Sequence, residues 1–256
     1  MPETYSTHEY AKLFATLTNQ NVFLTGKAGT GKTTFLHRLR ESSQKQMAVV
    51  APTGVAAINA GGTTIHSFFQ LPLTPFVPTE WGKKELVSKM KMVANRRKVL
   101  RELELLVIDE ISMVRADVLD AIDTVLRHVR YRFNEPFGGV QMIFIGDMYQ
   151  LSPVAQQGEW QILSQFYKGV YFFNSQVFQE KPFVHIEFEK IFRQSDIEFI
   201  QVLNEVRNNC LSVESQALLD KRYNPLFVPS KDDTYVILTT HNYKADLINR
   251  EELDKI

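Results

Sequence analysis

Residues 26–33 read Gly-Lys-Ala-Gly-Thr-Gly-Lys-Thr, a complete phosphate-binding loop of the form G-x-x-x-x-G-K-[ST]. No other stretch restricts the fold so strongly, because this loop works only between a strand and a helix. The flanks agree. Val22-Phe23-Leu24 is a short apolar run ending at the loop, and Thr34 to Arg40 has helical character. A helix starting there turns its positive dipole end toward an anion. Gly26, Gly29 and Gly31 allow a tight turn whose N–H groups point inward onto phosphate oxygens. Lys32 is placed to reach the β- and γ-phosphates, and the Thr33 hydroxyl to ligate Mg²⁺. The expected nucleotide-binding set is Gly26, Ala28, Gly29, Thr30, Gly31, Lys32, Thr33 and Thr34, and the expected ligands are ATP and Mg²⁺.

The 256 residues suffice for one large or two modest domains. Lys plus Arg and Asp plus Glu both number 29, so any nucleic-acid contact must come from a local track rather than a globally basic surface. Cys210 is the only cysteine, which excludes an internal disulfide and a cysteine zinc site and fits a reducing compartment. No apolar run approaches the ~20 residues of a membrane helix, and Met-Pro-Glu-Thr-Tyr is not the start of a signal peptide. A cytoplasmic protein without a membrane partner is expected.

Along the chain, residues 6–18 read as a helix with Tyr10, Leu13, Phe14 and Leu17 on one face. Met47–Ala51, Leu103–Ile108, Gln141–Ile145 and Phe183–Ile186 read as further strands, Val55–Ala60 as a short helix, and 116–130 as a helix with an apolar stripe. Residues 71–82 carry three prolines and read as a protruding loop. A second unit restarts around Phe188–Arg193, with a helix over 196–207 and a strand at Tyr235–Leu238. Strands alternating with helices predict a parallel sheet covered on both faces. The expected domains are 1–187, with an inserted basic segment over about 66–101, and 188–256.

A phosphate loop alone only binds nucleotide. Val107-Ile108-Asp109-Glu110 is an apolar strand ending in two carboxylates. Asp109 suits the metal, and Glu110 suits the proton of an attacking water. The strand over 141–145 leads into Gly146-Asp147-Met148-Tyr149-Gln150, where Gln150 can feel the γ-phosphate or its water and Asp147 can support it; for either residue alone, capping the turn is at least an equal reading. Arg193 can stabilise charge on a transferring phosphoryl group; by spacing alone a surface arginine is an equal reading.

In order, the chain shows NVFLTGKAGTGKT, APTGVAAINAGGTTIHSFF, VIDEISM, IFIGDMYQLSPV and IFRQ, with DVLDAIDTVLRHVR following VIDEISM. Together they resemble the petite-integration-frequency (Pif) family of DNA helicases, in the RecD-like branch of helicase superfamily one. The stretch VILTTHNYKADLINREEL is similar to part of that family's second motor domain. The resemblance implies an α/β fold: a RecA-like P-loop NTPase with a parallel sheet flanked by helices, a small inserted subdomain, and the start of a second RecA-like domain inside which the chain is expected to stop. It implies ATP-driven 5′→3′ movement on single-stranded DNA, with unwinding of duplexes, hybrids or G-quadruplexes in DNA repair and telomere or genome maintenance. A monomer acting on single-stranded, forked or structured DNA is expected, near the nucleoid in a bacterium or in the nucleus of a eukaryote. Lys32, Glu110, Gln150 and Arg193 take the catalytic positions, and Thr33 and Asp109 the metal, with Arg193 approaching from a neighbouring domain. Two family features are not found here: further second-domain motifs, and the amino-terminal glutamine that reads adenine, whose region is Ser6-Thr7-His8-Glu9.

By the same resemblance Thr53, Thr64, His66 and Ser67 touch the DNA strand, which needs sequence-blind phosphate contacts and stacking. A structural role for His66 stands beside this. Phe68, Phe69, Phe76 and Trp81 are candidate stackers or core of the insertion, and the proline-rich loop is either a wedge or a solvent excursion. Lys83, Lys84, Lys89, Lys91, Arg96, Arg97, Lys98 and Arg101 form either a DNA track or a solvated helix face. Arg115, Arg127, Arg130 and Arg132 flank the 116–130 helix, where they can fix the loop behind the metal site or pair with Asp120 and Asp123. Two other functions remain open: an ATP-dependent switch, and a nucleotide-binding module that does not unwind.

Overall fold

A computed structural model describes residues 5–227 and 235–254. The chain divides into two units, Met1–Ile197 and Glu198–Ile256. In the first, the elements run α1 (Thr7–Leu17), β1 (Asn21–Gly26), α2 (Lys32–Ser42), β2 (Met47–Ala51), α3 (Gly54–Asn59), β3 (Thr63–Thr64), α4 (Ile65–Phe69), α5 (Glu80–Lys89), α6 (Ala94–Glu102), β4 (Leu105–Ile108), α7 (Ala116–Arg130), β5 (Gln141–Ile145), α8 (Gln157–Leu163), α9 (Gln176–Glu180) and β6 (Phe183–Phe188). The six strands form one sheet in the order β3-β2-β4-β5-β1-β6, with every pairing parallel.

Period-two alternation divides the core. Leu105 and Val107 of β4, with Ile143 and Ile145 of β5, pack on one face against Phe35, Leu36 and Leu39 of α2. Leu106, Ile108, Met142 and Phe144 point the other way, onto Leu119, Ile122, Val125 and Leu126 of α7. Because both faces are covered, these strands read as continuous apolar runs, which is why the sequence locates them. The two-residue β3 carries no such signal.

Residues 71–82 depart from the protruding loop expected of them. Thr79 caps α5 through a bond from the Gly82 N–H at 3.1 Å, so the helix begins at Glu80. Leu71 and Phe76 are buried in the core, and the Phe76 N–H donates to Oδ2 of Asp117 at 3.0 Å. Prolines keep the segment irregular, but its apolar side chains hold it down.

Helix α7 does more than supply an apolar stripe. Asp117, Asp120 and Asp123 recur every third residue, and all three are buried. Asp117 holds the proline-rich loop. Asp120 accepts the N–H groups of Gln176 and Val177 and the Tyr167 hydroxyl, each within 3.0 Å. Asp123 accepts the Phe137 N–H at 2.6 Å. One helix face thus ties three loops to one rod, and each buried carboxylate is satisfied by donors rather than left bare. Of the expected arginine pairs, Arg127 does meet Asp123, at 2.7 Å. Arg130 instead donates to the carbonyls of Leu100, Arg101, Leu103 and Gly138, closing the end of α6.

The second unit holds α10 from its first residues (Ile197–Arg207), α11 (Val213–Asp220) and α12 (Asn242–Leu253). Glu205 accepts both the N–H and the hydroxyl of Ser212, fixing the turn between α10 and α11. The strand expected at Tyr235–Leu238 does not form: Val236 is 83% and Leu238 90% exposed, and no ladder joins them. A strand needs a neighbour to bond, and the described residues of this unit offer none. The division after Ile197 also falls later than the expected 187/188 boundary. The chain after β6 is pinned to the first unit by the Phe192 N–H, which donates to the Gly29 carbonyl at 2.8 Å.

Candidate nucleotide site

All strands being parallel, their carboxyl ends share one edge of the sheet, where ligands bind in such folds. The phosphate loop leaves β1, Asp109 and Glu110 leave β4, and the Gly146–Gln150 turn leaves β5, which lies between them. Ile108 pairs with Phe144 and Leu24 with Ile145, so the three ends stand nearly level.

The loop takes the strained form its glycines permit. Gly29 has φ +79° and Gly31 φ +86°, both left-handed. Gly31 opens α2 with no side-chain cap, which leaves the first N–H groups of the helix to an outside acceptor. The Lys32 ammonium spans the loop, donating to the carbonyls of Gly26 at 2.6 Å and Lys27 at 3.1 Å. Thr30 is buried, with its hydroxyl turned to the Lys27 carbonyl, so only its backbone could face a ligand. Thr33 and Thr34 are exposed at the start of α2.

Asp109 is buried, and that burial pushes its carboxyl up to about 6; the Glu110 N–H and the charges of Lys32 and His37 oppose the rise, while Glu110's own charge adds to it. A divalent cation would relieve the burial cost, so this carboxylate fits a metal. Glu110 sits at φ 52°, ψ 44°, a left-handed conformation in a non-glycine residue, and such strain gathers at functional sites. Asp147, 1% exposed, accepts from the Tyr149 N–H at 3.1 Å and from Nε2 of Gln150 at 3.2 Å. The carboxylate thus caps its own turn and meets the Gln150 amide. Among the described residues no cluster of three or more His, Cys, Asp or Glu could hold a metal. A Mg²⁺ ion held largely by water and nucleotide phosphates would need none.

Arg193 differs from its expected origin. It belongs to the first unit, and a Cβ placed on Gly29 would lie 2.7 Å from the Arg193 Cβ. The pinned chain after β6 delivers it to the phosphate loop directly.

His8 was missed by sequence reasoning. Its ring stacks on Phe188 at 3.6 Å and 18°, and a Cβ on Gly31 would lie 3.4 Å from its Nε2. The surrounding Ser6–Glu9 segment forms a capping box for α1. A box of this kind was visible in the sequence; the stacking was not.

On the expected DNA side, Thr53 and Thr64 cap α3 and α4, accepting from Ala56 N–H at 3.2 Å and Ser67 N–H at 3.3 Å. Their own O–H protons remain available to a phosphate. Ser67 is exposed and His66 half-buried. Of the candidate stackers, Phe69 and Phe76 are buried and Phe68 packs on the core, so they serve the insertion; Trp81 alone of the four is strongly exposed, at 72%. The basic segment is partly occupied. Lys83, Lys89 and Lys98 pair with Glu80, Glu85 and Glu102, while Arg96, Arg97 and Arg101 donate to the carbonyls of Ser67, Met92 and Val129. Among the described residues, no helix is long and apolar enough to cross a membrane.

Known proteins share this arrangement. A family model described as PIF1-like helicase matches residues 8–216. The chain is 35% identical over 256 residues to the ATP-dependent DNA helicase PIF1 of Danio rerio, covering 98% of this chain and 37% of that protein. It is 38% identical over 208 residues to its Homo sapiens namesake, covering 79% of this chain and 29% of that one. A crystal structure of a Bacteroides Pif1 helicase in complex with ADP-AlF3 and ssDNA aligns with TM-score 0.88 at 44% identity, over 99% of this chain and 57% of the other. This chain therefore spans only part of the length of its relatives. The match nevertheless takes in most of the chain and reaches both structural units, and on that ground the chain belongs to the PIF1-like helicase family.

Proposed function

We propose that the protein carrying this chain is an ATP-dependent DNA helicase that moves 5′→3′ on single-stranded DNA and separates duplexes, hybrids or G-quadruplexes during DNA repair and genome maintenance. One observation carries the reading: the phosphate loop, the Asp109–Glu110 pair and the Asp147–Gln150 pair emerge level with one another from adjacent parallel strands. A relative solved with ADP-AlF3 and ssDNA gives the same fold a nucleotide and a strand.

In this reading the loop N–H groups and Lys32 hold the triphosphate. Thr33 and Asp109 would hold Mg²⁺, which would neutralise phosphate charge. Glu110 takes the proton of the attacking water, Gln150 orients that water, and Arg193 stabilises charge gathering on the transferring phosphoryl group. Thr53, Thr64, His66 and Ser67 contact the DNA backbone, with Trp81 the exposed stacker. A monomer is the proposed hydrolysing unit. A switch that binds ATP without moving would share the loop and the carboxylates. A strand-displacement assay separates the two: the helicase reading expects a duplex with a 5′ tail to open and a 3′-tailed one to stay shut. No opening of either substrate, with ATP hydrolysis intact, would favour the switch.

A further inference from the structure

We propose that Arg115, through Asp117 and Glu159, is a positioning residue that transmits the state of the nucleotide site to the proline-rich loop, keeping ATP hydrolysis coupled to strand separation. The inference rests on the helicase reading above.

Arg115 caps the start of α7, at the end of a stiff path from Glu110. The Met113 N–H donates to the Glu110 carbonyl and the Val114 N–H to that of Ile111, both at 3.0 Å. A short hydrogen-bonded turn thus links Glu110 to the residue before Arg115. The guanidinium then divides three ways. Nε and Nη2 each reach an oxygen of Asp117 at 2.8 Å, and Nη1 reaches Glu159 at 2.8 Å. Asp117 also holds the Phe76 N–H of the proline-rich loop at 3.0 Å. Glu159 also holds the Gln156 N–H, at 3.0 Å, at the start of α8 on the chain that continues from Gln150. One side chain thus joins the segment after Glu110, the segment after Gln150 and the loop before Trp81.

The surroundings leave room for movement. Arg115 lines two cavities, of about 80 and 250 Å³, and His66 lines both of them as well. Burial holds His66 below its usual protonation range, and the Arg115 charge adds to that effect. Stability alone does not call for this cluster: apolar residues of similar volume commonly hold a fold as well as a buried ion pair. A planar fork with fixed donor directions does set geometry, and lysine cannot reproduce it.

The test compares Arg115→Lys and Asp117→Asn with Asp120→Asn in the full-length protein. Asp120 sits on the same helix face but holds the start of α9 and the Tyr167 hydroxyl, with no hydrogen bond to Arg115 or to the proline-rich loop. For the first two variants we expect ssDNA-stimulated ATPase within about twofold of wild type in both kcat and KM. Unwinding of a tailed duplex should fall about tenfold, the size of an ordinary coupling between sites. Asp120→Asn should lower the melting temperature and move ATPase and unwinding in equal proportion. Equal loss of ATPase and unwinding in Arg115→Lys, or no loss of unwinding, would overturn the proposal. Should the variants not fold, hydrogen exchange in the wild type decides. Protection of the Phe76 amide should differ between ADP and a non-hydrolysable ATP analogue, and identical protection would overturn the coupling. An absence of ssDNA-stimulated ATPase in the wild type would instead strike the helicase reading, which keeps the two failures apart.

Discussion

Oδ2 of Asp147 accepts a hydrogen bond from Nε2 of Gln150 at 3.2 Å, so a buried carboxylate just after β5 fixes the direction of that amide at the carboxyl edge of the sheet. Losing that aim should cost turnover rather than binding. Asp147→Ala should lower kcat of ATP hydrolysis by about ten- to a hundredfold with KM little changed. Gln150→Ala should do the same, and the double variant should be no worse than Gln150→Ala alone. Steady-state kinetics on the three variants checks this, and additive losses would separate the two residues.

In the proposed mechanism Glu110 takes a proton and does not hold the nucleotide. Glu110→Gln should keep nucleotide affinity within a few-fold and lower hydrolysis by about 10²–10⁴. A fluorescent nucleotide titration beside single-turnover hydrolysis measures both. Equal loss of binding and turnover would make Glu110 a ligand of the bound nucleotide instead.

Gly29 carries a φ of +79° and faces the Arg193 backbone and Cβ. Gly29→Ala adds both backbone strain and a clash, and should destabilise the first unit by about 1–3 kcal/mol. It should also weaken nucleotide binding, since relief of the clash means moving Arg193 or the loop. Thermal melting with and without nucleotide tests this, and a wild-type melting temperature would contradict it.

His8 lies against the phosphate loop with its pKa lowered, first by burial and then by the charge of Arg38, while its hydrogen bond to the Thr30 backbone pulls the other way. Since the folded value lies below the ordinary 6.5, the unfolded chain takes up the proton first. The contribution of His8 to stability is therefore complete above pH 6.5 and is lost as pH falls through the folded value. His8→Phe keeps an aromatic ring on Phe188 and removes the titration. Denaturant unfolding from pH 7.5 to pH 5.5 should show a smaller fall in stability for the variant than for wild type, and parallel curves would contradict the assignment.

Much of this was legible in the sequence, for a physical reason. A buried parallel strand must be apolar on both faces, so Met47–Ala51 and Gln141–Ile145 stand out by composition alone, and α7 by its stripe. The phosphate loop and Asp109-Glu110 are constrained by the ligand's chemistry and survive as local motifs. What escaped depends on distant partners. Tyr235–Leu238 has the composition of a strand but finds no ladder among the described residues. Phe76 lies among prolines yet is buried, because Asp117 holds its N–H. Asp120 and Asp123 read only as possible arginine partners, since three-residue spacing does not reveal which loop N–H meets each carboxylate. Nothing local to Arg193 shows that the chain after β6 folds back onto Gly29.

The central claim is that one site built around Lys32, Asp109 and Glu110 burns ATP in response to a DNA strand. The direct measurement is the rate of phosphate release with and without single-stranded DNA, for wild type and Lys32→Ala. DNA should strongly accelerate phosphate release by the wild type and not by the variant, whose hydrolysis should be lost. Equal rates with and without DNA, or full activity in Lys32→Ala, would contradict that claim.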